Sequence, residues 1–161
     1  MTNRKWAFLT TTMLLAAFAV VPSLYAQFEN DAKWVPNNAN SLVLVNSAKI
    51  FNSELATQNN WKAKGEAAFE SGSSIVPTNV NRLLIASQID FQFMHTLWDV
   101  CVFSKDQQSI SLDKIAKKLG TQIEQVANRN ALVLPNDAYL VQIDDTTVAT
   151  MNDQRNTNAP R

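Results

Sequence analysis

The sequence predicts an α+β fold: a mostly antiparallel sheet with helices on one face. Three observations carry that reading. Apolar runs of strand length recur at residues 42–45, 80–88, 91–103 and 131–134. Segments with three- and four-residue apolar spacing separate them, the clearest at Leu112, Ile115, Ala116 and Leu119. An alternating stretch over 138–143 meets the turn signal Asp144-Asp145, and residues 146–151 follow as a hairpin partner.

Taken in order, Arg4 and Lys5 precede an apolar run from Ala7 to Val21; Pro22 breaks it, and Ser23-Leu24-Tyr25-Ala26 ends in a small residue. Basic, apolar and small residues in that order form the pattern of a secretory signal, here residues 1–26. Leu24 stands where a small residue is preferred, and Ala17-Phe18-Ala19 fits the cleavage pattern better but leaves a short apolar core. Cleavage after Ala26 is the preferred reading. The alternative is an uncleaved anchor, since residues 7–26 are just long enough for a bilayer core of roughly 30 Å. No cysteine follows the run, which argues against a lipid anchor.

Residues 27–40 form a polar N-terminal segment with a loop at Pro36-Asn37-Asn38, and residues 41–151 read as one α+β domain. Leu42-Val43-Leu44-Val45 is a continuous apolar run, read as a buried strand. Asn46 and Ser47 are helix-capping types, and Ala48, Phe51 and Leu55 share one face of a short helix. A second helix spans 61–70, with Trp61, Gly65, Ala68 and Phe69 on one side, ending at Gly72-Ser73-Ser74. Two long strands follow, over 80–88 and 91–103, bent at Ile89-Asp90 and fit to pair antiparallel. Ser111 is an N-cap for the third helix, with Ile110 and Ile115 at hydrophobic-staple positions and Gly120 placed to stop it. Strands at 131–134, 138–143 and 146–151 complete the set, with Pro135-Asn136-Asp137 as a turn, and residues 152–161 form a flexible polar tail. The order β-α-α-β-β-α-β-β-β resembles the ferredoxin-like split βαβ with an extra helix and a C-terminal hairpin. Leu44, Phe51, Leu84, Trp98, Val100, Ile115, Leu119 and Tyr139 are expected to form one buried cluster.

Two stretches carry a family resemblance. One is Ser41-Leu42-Val43-Leu44-Val45-Asn46-Ser47-Ala48-Lys49-Ile50-Phe51-Asn52-Ser53-Glu54-Leu55-Ala56 with Trp61; the other is Tyr139-Leu140-Val141-Gln142-Ile143-Asp144-Asp145 with Val148 and Met151. Together they resemble exported, uncharacterised proteins of planctomycete-type bacteria. The resemblance implies no activity and no site residues. It also implies relatives that continue past the hairpin, so that this chain would represent the first part of a longer ancestor.

Composition excludes several function classes. Removing Arg4 and Lys5 from fourteen basic residues leaves twelve against fourteen acidic ones, a formal net charge of −2. Nucleic-acid binding needs a basic face, and no polybasic patch addresses anionic lipid. Cys101 is the single cysteine, so no internal disulfide forms. It lies in Val100-Cys101-Val102-Phe103 with nothing basic beside it, the setting of a small buried side chain rather than of a reactive thiol.

The sequence assigns no catalytic, cofactor-binding or metal-ligating residue. His95 is the only histidine, and in an extended strand Cys101 stands roughly 20 Å from it and Asp99 about 13 Å. A catalytic hydrogen bond needs about 3 Å. Asp144-Asp145, with Asp137 nearby in sequence, offers oxygen ligands for calcium without matching a calcium loop; a solvated turn is the preferred reading. The three glycines, Gly65, Gly72 and Gly120, form no phosphate-cradling loop. Trp34 and Trp61 are read as core edges, with an exposed partner or sugar-binding surface as the alternative; Trp98 is read as core. The favoured function is an exported, non-catalytic binding or interaction domain taking a protein or a surface polymer, not nucleic acid and not, after cleavage, a membrane. The rival is a small exported hydrolase using His95 with Asp90 or Asp99.

Overall fold

The computed structural model describes residues 28–74, 76–134 and 138–153. The predicted signal segment, the turn at Pro135-Asn136-Asp137 and most of the polar tail lie outside these. Two compact units divide at Trp34 and Val35. In the first, residues 28–32 are helical, and Lys33 Nζ donates to Asn30 Oδ1 at 2.8 Å.

The second unit is built on one sheet. Its elements are β1 (Ser41–Asn46), α1 (Ser47–Phe51), α2 (Glu54–Gln58), α3 (Trp61–Glu70), β2 (Arg82–Asp90), β3 (His95–Ser104), α4 (Leu112–Leu119), β4 (Ile123–Val126), β5 (Arg129–Val133), β6 (Tyr139–Gln142) and β7 (Thr147–Asp153). The seven strands lie in the order β1-β2-β3-β7-β6-β5-β4, each antiparallel to its neighbour. The mixed α+β class is thus as the sequence predicts. The split βαβ order is not what forms, because β1 pairs directly with β2, from Ser41↔Ser87 to Asn46↔Arg82. After β3 the chain crosses through α4 to the far edge and meanders back, so that β7 returns beside β3.

Capping explains the helices. Asn46 Oδ1 accepts from Lys49 N at 2.8 Å to open α1, and Ser53 Oγ accepts from Ala56 N at 3.2 Å to open α2. The single helix expected here therefore breaks at Asn52-Ser53, because each short polar side chain claims its own helix start. Ser111 caps α4, its Oγ accepting from Lys114 N at 3.3 Å, and Gly120 ends the helix at φ 65°.

Side-chain chemistry also moves the strand ends. Asp90 Oδ1 accepts from the N–H groups of Gln92 and Phe93 at 2.8 and 3.2 Å, and Met94 turns left-handed at φ 52°. Residues 91–94 therefore form the β2–β3 turn, not the start of a strand. A bulge at Gln88/Ile89 is held by Asn40, whose amide donates to Ile89 O and accepts from Ile89 N, both at 2.8 Å. Strand β4, absent from the sequence reading, pairs with β5 through the two-residue turn Ala127-Asn128 at φ 50° and 63°. Two left-handed residues in succession are the primed turn that suits a hairpin's twist.

The core has two faces rather than one cluster. On one face Leu83, Phe103 and Val148 lie in register, as do Leu140, Leu132 and Ile123 beside them, and all pack with Ile110, Leu112, Ile115 and Ala116. Leu84, Ala86, Trp98, Val100 and Val102 are buried on the opposite face. Of the expected core, Leu84, Trp98, Val100 and Ile115 are buried, and Phe51 and Leu119 are half-buried. Leu44 and Tyr139 are 39% and 41% exposed. Leu44 lies on an edge strand with a neighbour on one side only. On β6 the buried residue is Leu140, opposite Leu132, which turns Tyr139 to the other face.

Phe69 and Lys118 join α3 to α4. The Lys118 ammonium lies 3.7 Å from the Phe69 ring centroid and 2.9 Å from Glu70 Oε1. The Lys118 stem and charge thus cover an aromatic ring.

Candidate functional site

The residues singled out in the sequence form two neighbouring pairs, His95 with Asp90 and Cys101 with Asp99, and no common centre. His95 is exposed at the root of the β2–β3 turn, its ring centroid 6.3 Å from that of Phe93. It is in register with Asp90, but the Asp90 carboxylate is held by the turn amides described above. Asp99 Oδ1 accepts from Asn152 Nδ2 at 3.4 Å, and its Oδ2 lies 3.9 Å from Cys101 Sγ. Burial first, and then the charge and hydrogen bond of Asp99, push the Cys101 thiol up to about 11. A thiol held there is overwhelmingly protonated at neutral pH and a poor nucleophile.

At the β6–β7 turn, Asp144 Oδ1 accepts from Thr146 N and Oγ1 at 2.8 and 2.9 Å. Burial acts to raise the Asp144 carboxyl, but hydrogen bonds from Thr146 and Thr147 outweigh it and hold the group below its ordinary value. Its oxygens thus serve the turn. Asp137, the third residue of that acidic set, lies outside the described residues. Among the described residues no three His, Cys, Asp or Glu side chains gather as a metal site. Trp98 is buried, and its Nε1 donates to Gln88 Oε1 at 2.6 Å. Trp34 and Trp61, read as core edges, are instead 40% and 37% exposed.

Two features that the sequence reading missed stand out. The first is the loop after β3. Asn81 N donates to Ser104 O at 2.9 Å, Asp106 N to Asn81 Oδ1 at 3.1 Å, and Lys105 N to Thr146 O at 3.0 Å. Ile110 N closes the loop on Asp145 O at 2.8 Å. So pinned, Lys105 is only 8% exposed and lines two clefts of about 470 and 460 Å³. Asn79 and Gln108 line both clefts; Lys114 and Ser111, at the start of α4, line the second. Burial, and then the like charge of Lys114, hold the Lys105 amine below its ordinary value. In the sequence Lys105 is one polar residue in a polar loop; only the backbone bonds of Ser104 and Thr146 reveal that it is buried.

The second feature is the outer edge of β1. Leu42 and Val43 are 51% and 47% exposed on opposite faces of the strand. The run Leu42-Val43-Leu44-Val45, read as a buried strand, is therefore the open edge of the sheet. At the strand's N-terminal end, Phe91, Phe93 and Met94 of the β2–β3 turn are also exposed. No helix among the described residues is long and apolar enough to cross a membrane.

No family model matches this chain, and neither a known curated protein nor a solved structure proved similar to it.

Proposed function

We propose that this chain is an exported, non-catalytic binding domain that takes an extended segment of a partner protein along the open edge of β1. The observation that carries the reading is that edge. Its six residues contain no charge, no proline and no bulge, and three of their apolar side chains are solvent-exposed. Edge strands are ordinarily blunted by such devices, because their unpaired N–H and C=O groups are a template for another strand. An edge left plain is fit for strand addition, in which backbone bonds supply affinity and alternate side chains supply selectivity. Export rests on Arg4, Lys5, the apolar run from Ala7 to Val21 and Ala26; the resemblance to exported planctomycete-type proteins points the same way. The reading also takes the helices as a layer on one face, with Phe69 of α3 and Ile115 of α4 meeting the same side of the sheet.

The test is selection of displayed peptides on the purified mature chain. Apolar, extended sequences should be enriched. Their binding should weaken at least about tenfold in Val43→Lys, a loss of about 1.4 kcal/mol, and persist in His95→Gln. Peptide binding indifferent to Val43→Lys would overturn the edge as the site. A hydrolytic activity abolished by His95→Gln would overturn the non-catalytic reading.

A further inference from the structure

We propose that the cleft between Lys105 and Lys114 binds a small organic anion, its phosphate or carboxylate group set between the two ammonium groups and its carbon body against Phe69, Pro77 and Ile110. Lys105 is nine-tenths buried. Among the described residues its ammonium meets no carboxylate and no hydrogen-bond acceptor. No buried side-chain nitrogen among the described residues lacks a partner, so the ammonium is the part of Lys105 left open to the cleft while its stem packs beneath. Here the other charge on the cleft wall has the same sign: Lys114 lines the same cleft, and among the described residues no Asp or Glu does.

The acids close by are otherwise placed. Asp106 lines only the neighbouring cleft and is joined to the Arg82 guanidinium. Asp113 points out of α4 to solvent and does not line the cleft. Ser111 caps an eight-residue helix at the cleft mouth, adding the positive end of a helix dipole to the two ammonium groups. The remaining wall is the amides of Asn79 and Gln108, with Ser109, Ile115 and the apolar surfaces named above. A volume of about 460 Å³ lies in the range of small-molecule sites. An anion seated there supplies the counter-charge that the fold withholds from Lys105.

The experiment is titration of the mature chain with inorganic phosphate and with phenyl phosphate at constant ionic strength, followed by calorimetry and by the side-chain NMR signals of Lys105. Phosphate should bind saturably, with a Kd near about 1 mM, and phenyl phosphate more tightly because of the apolar wall. Benzoate then tells a carboxylate site from a phosphate site. Lys105→Met and Lys114→Gln should each weaken binding at least about tenfold, whereas Lys49→Gln, on exposed α1, should leave it unchanged. Lys105→Met should also raise Tm or leave it unaltered in ligand-free protein, since it removes an unpaired charge; a purely structural lysine would lower Tm. Absence of saturation by about 20 mM phosphate, far weaker than such a site should be, would overturn the proposal. So would Lys105 signals that stay fixed while phosphate binds, or binding unchanged in Lys105→Met.

Discussion

Strands β1 and β4 close the same sheet at opposite edges, β1 with six residues free of charge and β4 with four that include Glu124. The β4 edge is short, begins a tight two-residue hairpin, and has α4 packed beside it and β5. The β1 edge is longer, runs in unbroken register along β2, and exposes apolar side chains on both faces. One sheet therefore carries a protected edge and an unprotected one. Since β-edges invite unwanted pairing unless shielded, the contrast locates where the molecule is free to take a partner, and it is sharpened or broken by the following changes.

The largest effect is expected at the covered edge. Ile115→Ala removes a side chain 2% exposed that fixes α4 over the sheet. It should cost about 2–5 kcal/mol in denaturant unfolding, the usual range for truncating a buried aliphatic residue. A loss under about 0.5 kcal/mol, the size of an ordinary surface change, would mean that α4 does not hold that edge. Lys118→Ala should cost about 1 kcal/mol, mostly through lost contact with the Phe69 ring; Glu70→Gln should cost less, because its carboxylate is exposed and screened. At the open edge, Leu44→Ala should cost under about 1 kcal/mol, since the side chain is only partly covered. A cost as large as that of Ile115→Ala would show β1 to be an interior strand and dissolve the comparison.

The smallest effect concerns pH. Asp144 has a folded-state pKa below its ordinary value, so its contribution to stability is present above the unfolded carboxylate pKa of about 3.9 and is lost as pH falls through the lower folded value. Asp144→Asn keeps an oxygen for Thr146 but removes the charge. Its stability profile should therefore be flatter than that of the wild type below about pH 4. Superimposable profiles would contradict the role given to that turn.

Sequence patterning conveyed the class of fold well, and the reasons for its failures are physical. The α4 helix was fully legible because a cap, a staple, an apolar stripe and a stop glycine all agree within Ile110 to Gly120. Strand β4 was not, because Ile-Glu-Gln-Val offers only two apolar residues and its turn is formed by Ala127, a residue with no special claim on the left-handed region. With β4 unseen, the position of β7 beside β3 could not be deduced. Leu42-Val43-Leu44-Val45 shows why a continuous apolar run is ambiguous: it reads as a buried strand, yet burial is set by neighbours that composition does not reveal. Lys105 was invisible for the same reason. Nothing local distinguishes it from Lys114, and only the long-range bonds around Ser104 and Thr146 bury one while leaving the other exposed.

The most direct test of the open edge is amide hydrogen exchange on β1 in the free protein, repeated with a selected edge-binding peptide. Alternate β1 amides, lacking a ladder partner on the outer side, should exchange rapidly in the free protein, while those of β5, bonded on both sides, exchange slowly. Peptide should then slow the fast set and leave β4 untouched. Protection of every β1 amide in the free chain, or peptide-induced protection at β4 instead, would contradict the account.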